Sequence, residues 1–380
     1  MDAYRFLDIL EGLGGTFFSG VPDSLLSPFI DAVAFRYGIS DKHIVAANEG
    51  AAVGLAAGHY LAASRPAVVY MQNSGLGNAV NPICSLLNEK VYSIPVIFVI
   101  GWRGEPGTKD EPQHVYQGEV TLPMLDLLDI PYAAINSETE DLNSVLQNFR
   151  QHLERCRPVA FVVSKGAINI DQKITYASDA SLSREEALNV ILDDASTDSD
   201  TVFVCTTGKL SREVFEIREQ RKECHERDFL TVGSMGHSLM IACGIAFAKP
   251  DKWVFCLDGD GAMLMHMGSL AVAGVHKPQN LVHVVINNGA HETVGGLPAV
   301  SAKLDLREIA ASFRYSRAFR VDSKAELSSV LSKLESIVGP VFIEVLCNLS
   351  SRADLGRPST TPIENKDSFM SFLSGTEKSR

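Results

Sequence analysis

Two carboxylates and one amide carry most of the chemistry this chain offers. The run WVFCLDG leads into Gly259-Asp260-Gly261, and the run LVHVVINN ends in Asn287-Asn288. Both are short apolar runs of strand type closed by small polar residues. Asp-Gly is a common turn signal, and Asp260 taken alone is a turn residue. Asn288 gives it another use. Magnesium takes about six oxygens and usually shares phosphate oxygens of a bound nucleotide or coenzyme with few protein ligands. Asp260 offers a carboxylate and Asn288 an amide oxygen, while Gly259 and Gly261 let the backbone and its N–H groups approach a phosphate. The second carboxylate, Glu49, stands between Asn48 and a small-residue helix, GAAVGLAAGHYLAAS. Alone, it reads as a first-turn Glu that stabilises the helix dipole.

Weaker candidates surround these. Asp23, in GVPDSLL, suits a helix N-cap, and His114, in DEPQHVYQG, suits a solvated loop. Thr207-Gly208 and Gly233-Ser234-Met235-Gly236 follow strand-like runs. Arg103 and Lys109 lie in a Gly/Pro-rich loop whose length and composition suggest a lid, and Arg352 and Arg357 lie near the C-terminus. Such cations are mostly solvated unless an anionic substrate needs them. No G-x-x-x-x-G-K-[ST] or G-x-G-x-x-G follows a suitable strand.

The elements that must position these residues alternate between strand-like runs and amphipathic stretches, the α/β pattern. The two halves match in order and kind. FFSGVPDSLLSPF pairs with VFVCTTGKLSREVF, NEGAAVGLAAGHYLA with SMGHSLMIACGIAFA, VVYMQNSGLGNAV with VFCLDGDGAMLMH, and PVIFVIGWRG with LVHVVINNGA. The offset stays near roughly 186 residues, a large internal duplication rather than a short-repeat solenoid. The expected fold is α/β with two similar domains, each a mostly parallel sheet flanked by helices. The polar stretch GAINIDQKITYASDASLS marks the linker, placing the domains at 1–170 and 184–380 with 171–183 between them. In such sheets ligands bind at the carboxyl ends of strands, where Thr207, Gly233, Asp260 and Asn288 all fall.

Composition bounds the function classes. The chain has 380 residues, 46% hydrophobic and 21% charged, as in a globular protein with a real core. A formal net charge of −12 argues against nucleic acid or an anionic membrane as partner, and an anionic substrate then needs local cations. The seven cysteines show no zinc spacing and are expected to be reduced core thiols of a cytoplasmic protein. The N-terminus lacks secretory-signal character, and SIPVIFVIGW is too short to span a bilayer.

GDG, then 25 residues from Ala262 to Ile286, then NN resembles the signature of the thiamin diphosphate-dependent decarboxylase family. The resemblance implies a pyrimidine-binding first domain and a diphosphate- and Mg²⁺-binding second domain, without the third domain many members insert. It implies that Glu49 hydrogen-bonds the coenzyme's aminopyrimidine ring and exchanges a proton with it. Gly233 would offer its carbonyl to the ring's amino group, and Met235 would hold the coenzyme bent. Thr207, Gly208, Gly259, Gly261 and Ala262 would hold the diphosphate, and Asp260, Asn288 and the Ala290 carbonyl the metal. Asp23 and His114 would serve proton transfer at the reacting carbon. His291 and Glu292 would shape the diphosphate loop or reach the substrate.

SGVPDSLLSPF, NEGAAVGLAAGHYL, GEPGTKDEPQH, NNGAHETVGG and ADLGRP…TTPIENK are similar to segments of the phosphonopyruvate decarboxylases. That implies a small substrate bearing a carboxylate and a phosphonate, with Ser24, Lys109, His291 and Arg357 as candidate binders. It also implies a homo-oligomer, at least a dimer, with the coenzyme at the subunit interface. Sulfopyruvate decarboxylation, carboligation and a catalytically silent binding or regulatory subunit are the alternatives.

Overall fold

Apolar runs without alternation build both sheets, because each sheet is covered by helices on its two faces. The computed structural model describes residues 1–139, 141–195, 200–352 and 354–375. These form two units: Met1–Tyr176 with His291–Ala299, and Ala177–Ala290 with the chain from Val300 onward. The division at Tyr176 falls within the polar stretch 166–183. The short segment His291–Ala299 belongs to the first unit, where Val294 and Leu297 join the hydrophobic core.

The first unit has strands β1 (Phe18–Gly20), β2 (His43–Val45), β3 (Ala67–Gln72), β4 (Val96–Gly101), β5 (Tyr132–Ile135) and β6 (Val159–Val163). They lie in the order β2-β1-β3-β4-β6-β5, every pair parallel. Phe18, Tyr70, Val99 and Phe161 fill the core on one face, and Val69, Met71, Phe98 and Val162 fill it on the other.

The second unit begins with β7 (Val202–Cys205), β8 (Asp228–Leu230), β9 (Val254–Gly259) and β10 (Leu281–Asn287). Its sheet runs β8-β7-β9-β10, then Val341–Leu346, then Arg317–Val321, again all parallel. Numbered within each unit, both sheets read second, first, third, fourth, sixth, fifth. The duplication is therefore one of topology as well as of sequence. Each unit's strand order reverses beside its first strand, and ligand crevices open at the carboxyl ends there.

Two expectations need correction. Cys205, Cys243, Cys256 and Cys347 are buried thiols, but Cys84 and Cys224 are exposed. The stretch around His114 is not a loop: Pro112–Leu127 is a helix, with Pro112 at its start, where the missing N–H costs nothing.

Candidate active site

Residues at the carboxyl ends of each sheet form two clusters, one per unit. In the first, Glu49 opens the helix Glu49–Ala63, whose N-cap Asn48 accepts from the Gly50 and Ala51 N–H groups. Glu49 is buried. Its Oε2 accepts from Asn78 Nδ2 at 2.8 Å, and its Oε1 rests against Gly75, where a Cβ would stand 2.5 Å away. Asp23 follows β1 and is not a helix cap, since the helix Ser27–Tyr37 has Leu26 as its N-cap. Asp23 is buried, and burial pushes its carboxyl above the usual range against the pull of Gln72, Arg103 and nearby N–H groups.

His114 sits in the first turn of its helix with Nδ1 buried and without a hydrogen-bond partner. Burial, then the Arg103 charge, lower its pKa. Arg103 itself is committed. Its Nε donates to Asp110 at 2.8 Å and its Nη2 at 2.5 Å, while Gly104 N–H donates to the same carboxylate. Asn73, buried, donates to the Arg103 carbonyl and to Thr121. The Gly/Pro-rich segment is thus anchored at both ends of its Arg103–Asp110 pair, and Pro106, Gly107, Thr108 and Lys109 between them are exposed. Ser24 is exposed. His291, in the segment that joins this unit, is held neutral by burial, which lowers its pKa to about 4.

In the second unit Asp260 is the first residue of the helix Asp260–Met265, directly after β9, and not a turn residue. It is buried, accepts from the Ser301 hydroxyl, and burial raises its carboxyl pKa to about 6. Asn288 follows β10, whose register sets Ile286 beside Gly259. Its Oδ1 accepts from the Ala290 N–H at 3.1 Å. Asn287 is locked by Glu344, taking Nδ2 to Oε1 at 2.7 Å, and its Oδ1 holds the Gly289 N–H at 2.9 Å. Gly233 and Met235 follow β8 in a turn that carries Ser234 and Gly236 at positive φ.

These residues fit a diphosphate and a divalent cation. A buried carboxylate whose pKa is raised by burial gains most from a cation beside it. The Thr206 hydroxyl is buried without a hydrogen-bond partner, and its methyl lies 4.0 Å from where a Gly259 Cβ would be. Such an orphan costs about 1–3 kcal/mol unless a ligand oxygen meets it. Thr206 therefore joins Thr207 as a candidate; the sequence places it at the same strand end, and its unpartnered hydroxyl is what the structure adds. Gly208, at φ 98°, starts the helix Lys209–Arg221 and leaves the backbone open to a phosphate. Arg357 is exposed, and Arg352 is engaged by Glu185 at 2.9 Å, by Asp354 at 3.3 Å and by Glu216.

Two matching α/β units, each similar to a thiamine pyrophosphate-binding domain, make the chain a thiamin diphosphate-dependent enzyme. The thiamine pyrophosphate enzyme N-terminal TPP binding domain matches residues 3–125, and the C-terminal TPP binding domain matches 206–345. A phosphonopyruvate decarboxylase of Streptomyces viridochromogenes is 35% identical, over 96% of this chain and 93% of its own. One of Streptomyces hygroscopicus is 34% identical, over 96% and 92%. A sulfopyruvate decarboxylase of Methanosarcina acetivorans is 27% identical, over 77% and 79%. The chain belongs to the phosphonopyruvate decarboxylase family. Its cofactors are thiamin diphosphate and Mg²⁺. Among the described residues no helix is long and apolar enough to cross a membrane.

Proposed function

We propose that the protein decarboxylates 3-phosphonopyruvate to phosphonoacetaldehyde and CO2. The observation that carries this reading is the likeness to two phosphonopyruvate decarboxylases along nearly the whole chain, against a weaker and shorter likeness to a sulfopyruvate decarboxylase. When bound, the coenzyme supplies an electron sink for the pair left as the carboxylate departs.

The chain's own residues hold, orient and move protons. Asp260, Asn288 and the Ala290 carbonyl hold Mg²⁺. Thr206, Thr207, Gly208, Gly259, Gly261 and Ala262 hold the diphosphate, and Gly233 and Met235 the pyrimidine ring. Glu49 would hydrogen-bond the bound ring and exchange a proton with it through its carboxyl, in the orientation that Asn78 and Gly75 support. Asp23 and His114 handle the proton at the reacting carbon; burial favours the neutral acid at Asp23, which can donate, and the neutral imidazole at His114, which can accept. Ser24, Lys109, His291 and Arg357 are the groups for the phosphonate.

The chain acts as a homo-oligomer, at least a dimer, with Glu49 of one chain and the Asp260 loop of another serving one coenzyme. The helix Glu49–Ala63 supports this: beyond Glu49 it holds no Asp, Glu, Lys or Arg, yet Leu55 and Leu61 are exposed. Free cysteines throughout fit a reducing, cytoplasmic setting. Phosphorus NMR of a reaction with both cofactors tests the reading. Phosphonoacetaldehyde should appear in step with CO2; an unchanged phosphonopyruvate signal would refute it.

A further inference from the structure

The fold treats the two oxygens of Asp23 differently. Oδ1 accepts from Nε2 of Gln72, the last residue of β3, at 2.8 Å. Oδ2 is buried and has no hydrogen-bond partner. It lies over Gly101, the last residue of β4, where any Cβ would collide with it. The Gln72 amide is itself aligned, because the Ser74 hydroxyl donates to its Oε1 at 2.8 Å. With Oε1 engaged by a donor, the NH₂ end faces Asp23. A proton on Oδ1 would meet that N–H head on, whereas Oδ2 has no hydrogen-bond partner to oppose one.

Resting on the reading of Asp23 as a proton-transfer group, we infer that Gln72, aligned by Ser74, is a positioning residue that makes Asp23 a one-sided acid, protonated at Oδ2. In the transfer the O–H bond at Oδ2 breaks and a C–H bond forms at the carbon that has lost CO2. The carboxylate left behind keeps its Oδ1 bond to Gln72, and a proton from water restores the acid. Gly101 is part of the device, since a side chain there would displace the working oxygen. Burial favours the neutral form; Gln72, Arg103 and the Leu25 and Leu26 N–H groups favour the anion. The Arg103 charge is largely spent on Asp110.

Gln72→Leu removes the donor, and Ser74→Ala frees the amide at an exposed position that the fold tolerates. Two readouts serve: the pH profile of kcat on phosphonopyruvate, and carbon-13 titration of the Asp23 carboxyl in coenzyme-free protein, assigned with Asp23→Asn. In Gln72→Leu the carboxyl should titrate at higher pH, the alkaline limb of kcat should move the same way, and kcat should fall roughly 10- to 100-fold with KM unchanged. Ser74→Ala should give a smaller effect of the same sign, and Ser74→Thr should restore the profile. A wild-type titration and kcat in Gln72→Leu, with Asp23→Asn inactive, would overturn this inference alone. Full activity in Asp23→Asn would instead remove the reading of Asp23 on which it rests.

Discussion

Glu49 and Gly75 touch so closely that a Cβ on Gly75 would stand 2.5 Å from Oε1 and 2.7 Å from the carboxyl carbon. Asn78 holds the other oxygen. The carboxylate is therefore aimed by the turn Asn73–Gly75 and the helix Leu76–Pro82 that follow β3. Gly75→Ala should cost activity on the order of 10²-fold, approaching the loss in Glu49→Gln, with the far-ultraviolet spectrum intact. Steady-state kinetics on both variants check this. Wild-type kcat in Gly75→Ala would show that the aim of Glu49 is not needed.

Asp260 trades stability for binding. Burial disfavours its charge, and a cation offsets the cost only when coenzyme is present. Asp260→Asn should raise the Tm of coenzyme-free protein while abolishing retention of thiamin diphosphate in calorimetric titration with Mg²⁺. Thr206→Val should weaken that binding about tenfold, the loss of one hydrogen bond. Tight binding by Asp260→Asn would return this residue to a structural role.

Asp31 makes stability depend on pH. Burial raises its pKa from 3.8 to about 6, despite its hydrogen bond from Ile174 and the Lys173 charge. The folded state therefore binds more protons than the unfolded state between these values. Stability from this group is full below about 4 and is lost as pH rises through about 6. Urea unfolding at pH 5 and pH 7.5 should show a smaller fall in stability for Asp31→Asn than for wild type; equal falls would contradict the assignment.

Cations near the C-terminus divide by role. Arg352 is spent on three carboxylates. Arg352→Met should lower Tm and leave the preference for phosphonopyruvate over pyruvate unchanged. Lys109→Met or Arg357→Met should narrow that preference and leave Tm within about two degrees of wild type. Relative kcat/KM on the two substrates separates these outcomes.

What the sequence revealed followed the physics of burial. Runs such as AVVYMQN and LVHVVINN are apolar throughout because both faces of a central parallel strand are covered. The edge strands Tyr132–Ile135 and Arg317–Val321 escaped notice, since YAAI is short and partly exposed and RAFRV mixes charge into the run. The helix Pro362–Ser374 carried a legible mark in Thr361-Pro362…Glu364, a capping box with Pro at the first turn. The Gly/Pro content of residues 101–112 hid the Arg103–Asp110 clamp, because spacing alone cannot distinguish an anchored segment from a lid. Asp260 and Glu49 were singled out by the GDG…NN spacing and the family it resembles, since each alone reads as a turn residue or a first-turn Glu. Thr206, Gln72 and Ser74 were not, because their importance lies in partners that only the fold brings together, or in the lack of one.

The central claim is tested most directly by kcat/KM for phosphonopyruvate, sulfopyruvate and pyruvate, measured side by side as CO2 release with thiamin diphosphate and Mg²⁺. A phosphonate engages donors that a methyl group leaves unpaired, and the discrimination reaches the order of 10⁴-fold when binding buries those donors. The expected ranking is phosphonopyruvate well above sulfopyruvate, with pyruvate far lower. Comparable values for pyruvate and phosphonopyruvate would contradict the account.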